Sequence, residues 1–300
     1  MSTFIYALKV IGFQFILLLA RLLVLLPYRQ QLKFGAWLGR ISMRFMSSRV
    51  QISRLNLRLC FPEKSEIERE RICVKSFESL GMGVMEALMA WFMSAKRFQK
   101  IPFVWHGYEH YEAALATQKG ILACGGHFDS LEILARFVGE RIPAGVVYKK
   151  SRSPLFTAFV DKMRGRYLKY LIVHANVKKM VSILRNKKML WIAPDQDFGR
   201  SRSLFVPFFH IETATSLSMR VLCELGDAVL LPTLFCRLPE GQGYEFITPP
   251  FFEHFPSDDP AADLMRWNQL LADYIRQHPE QYFWVHRRFK TRPSGEPSVY

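Results

Sequence analysis

The chain has 300 residues, half of them apolar and 14% aromatic, which is enough for one substantial core and argues against a disordered or low-complexity assembly. Its five cysteines (Cys60, Cys73, Cys124, Cys223, Cys236) are widely spaced without any Cys-x-x-Cys pair, so a disulfide framework and a zinc knuckle are both disfavoured and a reducing compartment fits. The net charge of +15 is uneven: nine Lys and Arg and no acid precede Glu63, leaving +6 over the remaining 238 residues. Such a basic segment suits nucleic acid or an anionic membrane, and the greasy run it overlaps selects the membrane.

That run, Phe4 to Leu26, is 23 residues long. As a helix it would reach roughly 34 Å, enough for a hydrocarbon core of about 30 Å, although Lys9, Gln14 and Arg21 interrupt it. No small-x-small cleavage site follows Leu26, which disfavours a secretory signal, while an ordinary buried helix stays open. Residues 1–28 are read as a membrane-anchor helix, spanning or lying in the interface, and 29–300 as one domain. If the helix spans, Arg29, Lys33, Arg40 and Arg44 place the body on the cytoplasmic side.

Ser65-Glu66-Ile67-Glu68 has the form of a capping box, followed by apolar residues at helical spacing through Met82, Met85, Leu88, Met89 and Phe92. This methionine-rich stripe is read as core rather than lipid groove. From residue 103 short apolar runs, Ile121 to Cys124, Ala144 to Tyr148, Met189 to Ala193 and Val229 to Phe235, alternate with helix-like stretches. The pattern predicts an α/β fold, a mixed sheet with flanking helices, whose functional residues sit past the carboxyl ends of buried strands. The tail from Pro293 is expected to fray.

The segment Gly120 to Glu132 joins a buried strand, the pair Gly125-Gly126, His127 and a helix start. Glycines allow a sharp turn and close substrate approach, and the helix N-terminus favours developing negative charge. His127 there can take a proton from an attacking hydroxyl, with Glu132 holding the imidazole in one tautomer. The spacing alone is weak, because His254 and Asp259 repeat it between prolines, where Asp258 or Asp259 is better explained as a helix cap. Asp129-x-x-Glu132 is itself an acidic variant of a capping box, so for Glu132 a cap and a catalytic partner both stay open.

Other motifs deflate. Asp197-Phe198-Gly199 lacks the glycine-rich loop of a kinase, and no Gly-x-Ser-x-Gly elbow is present. His106 and His110 lie one helical turn apart without an apparent third metal ligand. Asp195-Gln196-Asp197 follows a buried strand and suits a turn or a site wall. Tyr282 to Lys290 alternates aromatics with charge, as a strand edge, an interface belt or an anion-binding surface would.

Taken together, these residues resemble the late (secondary) acyltransferases of lipid A biosynthesis, within the glycerolipid acyltransferase-like fold. The resemblance rests on Arg54 to Glu63, Ser76 to Met82, Gly126-His127-Phe128 with Leu131-Glu132, Asp195 to Gly199 with Phe205 to Phe209 and Thr213 to Thr215, and Trp284 to Pro293. It implies transfer of a fatty acyl chain from acyl carrier protein to the hydroxyl of a hydroxyacyl chain on a Kdo-bearing lipid A precursor. The implied place is the bacterial inner membrane, with the active site facing the cytoplasm; no metal or other cofactor and no nucleic acid is expected. His127 and Glu132 become the implied catalytic pair, and Arg164 or Arg166 the arginine near the thioester oxygen, with Asp195 counted beside these arginines among the oxyanion or substrate residues. A lysophospholipid or glycerol-phosphate acyltransferase is the nearest alternative, and a non-catalytic membrane-binding protein the one from another class.

Overall fold

The computed structural model describes residues 3–300, with side chains from Val10 onward. Five helices come first: α1 (Thr3–Leu23), α2 (Tyr28–Ser42), α3 (Ser47–Cys60), α4 (Glu66–Phe92) and the single turn α5 (Ala95–Phe98). The predicted capping box starts α4: the Ser65 hydroxyl accepts from the Glu68 amide, and the Glu68 carboxylate accepts from the Ser65 amide at 2.8 Å. Met85 and Met89 are buried in the core, as read.

α1 buries a narrow stripe. Leu17 and Ala20, with Val24 just beyond the helix, are buried, and Phe13 meets Phe159 edge-on at 5.6 Å. Ile11, Phe15, Ile16, Leu18, Leu19 and Leu22 are exposed. The open carbonyls at its end are taken up by side chains: Gln31 Nε2 donates to Val24 and Leu26, and Arg97 to Val24 and Leu26. Among the described residues no helix is long and apolar enough to cross a membrane.

The second part alternates strands and helices: β1 (Phe103–His106), α6 (Tyr108–Ala116), β2 (Gly120–Cys124), α7 (Leu131–Gly139), β3 (Ala144–Tyr148), α8 (Pro154–Arg164), β4 (Tyr170–Val173), α9 (Val177–Arg185) and β5 (Met189–Ile192). A hairpin β6 (Ser203–Phe208) and β7 (Ile211–Ser216) follows, then α10 (Ser218–Gly226), β8 (Ala228–Pro232), β9 (Leu234–Arg237), β10 (Tyr244–Ile247) and α11 (Pro260–Gln277). The central sheet has the order β4-β3-β5-β2-β8 and is wholly parallel. The expected mixed sheet is thus two sheets, because the apolar run Val229 to Phe235 divides at Thr233: β8 joins the parallel sheet, while β9 pairs antiparallel with β10 in a small sheet β1-β10-β9. Arg237 at the end of β9 is buried against Glu86 of α4 and ties the small sheet to the helical layer.

Candidate active site

The parallel register decides which loops meet. Cys124 of β2 lies beside Ile192 of β5, and three residues beyond each stand His127 and Asp195. Gly125 is needed here: a side chain would place Cβ 2.9 Å from the Trp191 ring and 3.0 Å from the Thr233 carbonyl. The chain therefore turns tightly off β2 and brings His127 to the mouth of the sheet.

Nδ1 of His127 lies 2.6 Å from Oδ1 of Asp195, and the His127 amide donates to Oδ2 at 2.8 Å. Tyr282 adds its hydroxyl to Oδ2 at 2.9 Å. Asp195 is buried; burial alone would raise its pKa, but the His127 charge and these hydrogen bonds outweigh it and hold the carboxyl down to about 2. For His127, burial opposes the imidazolium, yet the Asp195 charge and hydrogen bond win and raise its pKa above the ordinary 6.5. With Nδ1–H committed to Asp195, Nε2 carries the lone pair. The His127 side chain stays 30% exposed, so that lone pair can be approached.

Glu132 does not join this arrangement. Its carboxylate accepts from Arg164 Nε and Nη2 at 3.0 and 2.6 Å, from Trp91 Nε1 at 2.8 Å and from the Tyr167 hydroxyl at 2.8 Å. Burial would raise its pKa, but Arg164 above all, with Trp91 and Tyr167, lowers it. The expected His127–Glu132 hydrogen bond is absent among the described residues, and Asp195 takes that place. The reason is local: His127 and Phe128 run alongside Tyr282 and Phe283 in a short antiparallel bridge, whereas Glu132 already lies within α7 and turns toward α4 and α8. Nor is Glu132 a cap, since Ser130, the N-cap of α7, makes no side-chain cap bond and the Asp129 amide donates to the Gln281 carbonyl instead of to Glu132.

His127, Glu132 and Arg164 nonetheless line one cavity of about 300 Å³, walled by Leu131, Val146, Tyr148 and Trp191 among others. Arg164 is the arginine that reaches it; Arg166 is exposed and donates to the Trp91 carbonyl, outside the lining. Arg164 Nη1 has no hydrogen-bond partner among the described residues. Asp195, expected among the oxyanion or substrate residues, does not line this cavity and lies behind His127 as its hydrogen-bond acceptor.

Tyr282, Trp91 and Tyr167 were not foreseen as site residues. Within the aromatic run 282–290, His286 is pushed down to about 4 by burial first, with Arg288 and His127 adding to it, and accepts from the Asp197 amide. Asp197 in turn binds the Thr291 amide and hydroxyl, fixing the turn that carries Asp195. His254 is exposed, and Asp259 caps α11 by accepting from Ala261 and Ala262, as read. His106 faces Glu245, and His110 Nδ1 lies 2.7 Å from the Thr248 carbonyl.

A parallel-sheet site with a carboxylate-bound histidine has many owners, and comparison with known proteins narrows them. The sequence model of the bacterial lipid A biosynthesis acyltransferases matches residues 2–291. The chain belongs to that family. It is an acyltransferase of lipid A biosynthesis, 40% identical over 280 residues to the lipid A biosynthesis lauroyltransferase of Escherichia coli, covering 93% of this chain and 91% of that one. The lipid A biosynthesis palmitoleoyltransferase of the same organism is 37% identical over 92% of this chain and 90% of its own, and the myristoyltransferase 29% over 88% and 82%. A 1-acyl-sn-glycerophosphate acyltransferase structure from Thermotoga maritima, at 11% identity and a TM-score of 0.38, spans 81% of this acyltransferase and 95% of itself, a likeness too weak to build on.

Proposed function

We propose that this acyltransferase moves a fatty acyl chain from the thioester of acyl carrier protein to the hydroxyl of a hydroxyacyl chain on a Kdo-bearing lipid A precursor, with His127 as general base. The observation that carries the reading is the Asp195–His127 pair at the mouth of an apolar cavity, with Nε2 free. The acceptor hydroxyl gives its proton to Nε2 as its oxygen bonds to the thioester carbonyl carbon. The tetrahedral intermediate then breaks its C–S bond, and the imidazolium returns the proton to the departing thiolate. A thioester is already activated, so this sequence needs no nucleophilic serine.

Glu132 keeps a part in this scheme, through Arg164. By holding Nε and Nη2 it leaves Nη1 for the oxygen that becomes negative, so Arg164 supplies the oxyanion charge and Glu132 positions it. The acceptor and the exposed apolar face of α1 both favour work at the bacterial inner membrane, on its cytoplasmic side where acyl carrier protein is found.

The test is acyl transfer with purified protein, acyl carrier protein thioester and the Kdo-bearing precursor, read by mass spectrometry. His127→Ala is expected to lose activity by about 10²- to 10⁴-fold, and His254→Ala to keep most of it. Comparable losses in both would remove His127 from the role. Acylation of a lysophospholipid in preference to the saccharolipid would favour the glycerolipid alternative.

A further inference from the structure

Between Arg141 and Pro194 the sequence has thirteen Lys and Arg and a single acid, Asp161. This stretch forms β3, α8, β4, α9 and β5. Because the strands are parallel, the residues that follow them gather at one edge of the sheet. Lys149 and Lys150 follow β3, His174 follows β4, and Lys178 and Lys179 begin α9 beside it. His127 and Asp195 leave β2 and β5 at that same edge. β3 and β4 lie two and three strands from β2, so the cations start on the order of 10 to 15 Å from the site.

Three features separate this rim from an ordinary solvated surface. Lys149, Lys150, Arg152, Lys178 and Lys179 are exposed and enter no salt bridge among the described residues. Lys178 and Lys179 stand in the first turn of α9, where the helix dipole disfavours cations, and no acid offsets them. Apolar surface also adjoins the rim: α8 begins two residues after Arg152, Phe156 is 40% exposed, and Phe159 packs on Phe13 of α1, whose outward residues are exposed and apolar. Cations bordering exposed apolar groups match the headgroup and acyl layers of an anionic membrane.

We infer that the carboxyl-end edge of the sheet lies against an anionic bilayer surface, with these cations on lipid phosphates and α1 and Phe156 in the acyl region beside them. The cavity of His127 then opens toward the layer from which a lipid acceptor comes. This rests on the membrane-bound acceptor proposed above and adds which edge of the molecule meets the lipid.

The experiment is flotation of the full chain with vesicles of phosphatidylcholine alone or mixed with phosphatidylglycerol. A rim variant, Lys150→Gln/Arg152→Gln/Lys178→Gln, is compared with Lys169→Gln/Lys187→Gln/Lys188→Gln, whose exposed cations precede β4 and β5 at the opposite edge and lose the same charge. The rim variant is expected to partition onto phosphatidylglycerol vesicles on the order of a hundredfold less, and the opposite-edge variant nearly as the parent. Equal losses would mean net charge without orientation and would overturn the inference. So would full vesicle binding by the rim variant, including the case where it instead loses binding to acyl carrier protein and the rim belongs to the donor. A parent chain that binds neither vesicle would sink the membrane reading itself, and this inference with it.

Discussion

The two oxygens of Asp195 do different work: Oδ1 fixes the tautomer of His127, and Oδ2 receives the His127 amide and the Tyr282 hydroxyl, which hold the carboxylate still. A base must be neutral, and Asp195 raises the His127 pKa, so the acid limb of kcat/KM is expected above pH 6.5. In Asp195→Asn only burial remains, which lowers that pKa. The limb should therefore move to lower pH while the plateau falls by about 10²- to 10⁴-fold. Glu132→Gln should behave otherwise. It loosens Arg164 and lowers kcat at least about tenfold, some 1.4 kcal/mol of barrier, but leaves the limb in place because Glu132 does not touch His127. A limb that moves with Glu132 and stays with Asp195 would reverse the two assignments. His127 was legible because strand, glycine pair and histidine are contiguous. The carboxylate that hydrogen-bonds it lies 68 residues on, brought near only by the adjacency of β2 and β5, so the sequence pointed instead to the nearer Glu132. Tyr282, 87 residues from Asp195, left no local signal beyond an aromatic run.

At the scale of elements, α2 and α4 cross where Gly35 and Gly39 face Gly81. A Cβ on Gly39 would collide with the Phe77 carbonyl, and one on Gly81 with the Gly35 carbonyl. The neighbours are backbone and cannot swing aside, so Gly39→Ala or Gly81→Ala must push the helices apart. We expect a loss of about 1–3 kcal/mol, seen as a lower Tm by calorimetry, with Gly12→Ala, which has open space around it, as the control. An unchanged Tm in Gly39→Ala would show that the helices do not pack this closely. α4 was readable from its capping box and apolar spacing, and β2, β3 and β5 from their apolar runs, whereas α2, which has no side-chain cap, was not. Short strands such as β1 and β10 were not, since four residues with alternating exposure resemble a loop. The division of one apolar run into β8 and β9 was likewise hidden, because pairing partners and not composition decide where a strand changes sheet.

For the molecule as a whole, two kinds of attraction to a membrane are distributed differently. Cations populate residues 1–62 and 141–194, whereas the exposed apolar side chains gather on α1. Salt screens the first, with a Debye length of about 10 Å at 0.1 M and about 3 Å at 1 M, and leaves the second intact. Removing residues 1–28 outright would also strip the carbonyls that Gln31 and Arg97 bind, confusing attachment with folding. A cleaner variant is Phe15→Gln/Ile16→Gln/Leu19→Gln/Leu22→Gln, because these side chains point outward and Leu17, Ala20 and Val24 keep their packing. On vesicles containing phosphatidylglycerol we expect it to bind at low salt through the cations and to be released at 1 M salt, the higher concentration just given, while the parent stays bound at both. The Tm of the parent and of the variant should be similar, since no buried group changes. A variant that resists high salt as the parent does would place the apolar attachment outside this face of α1.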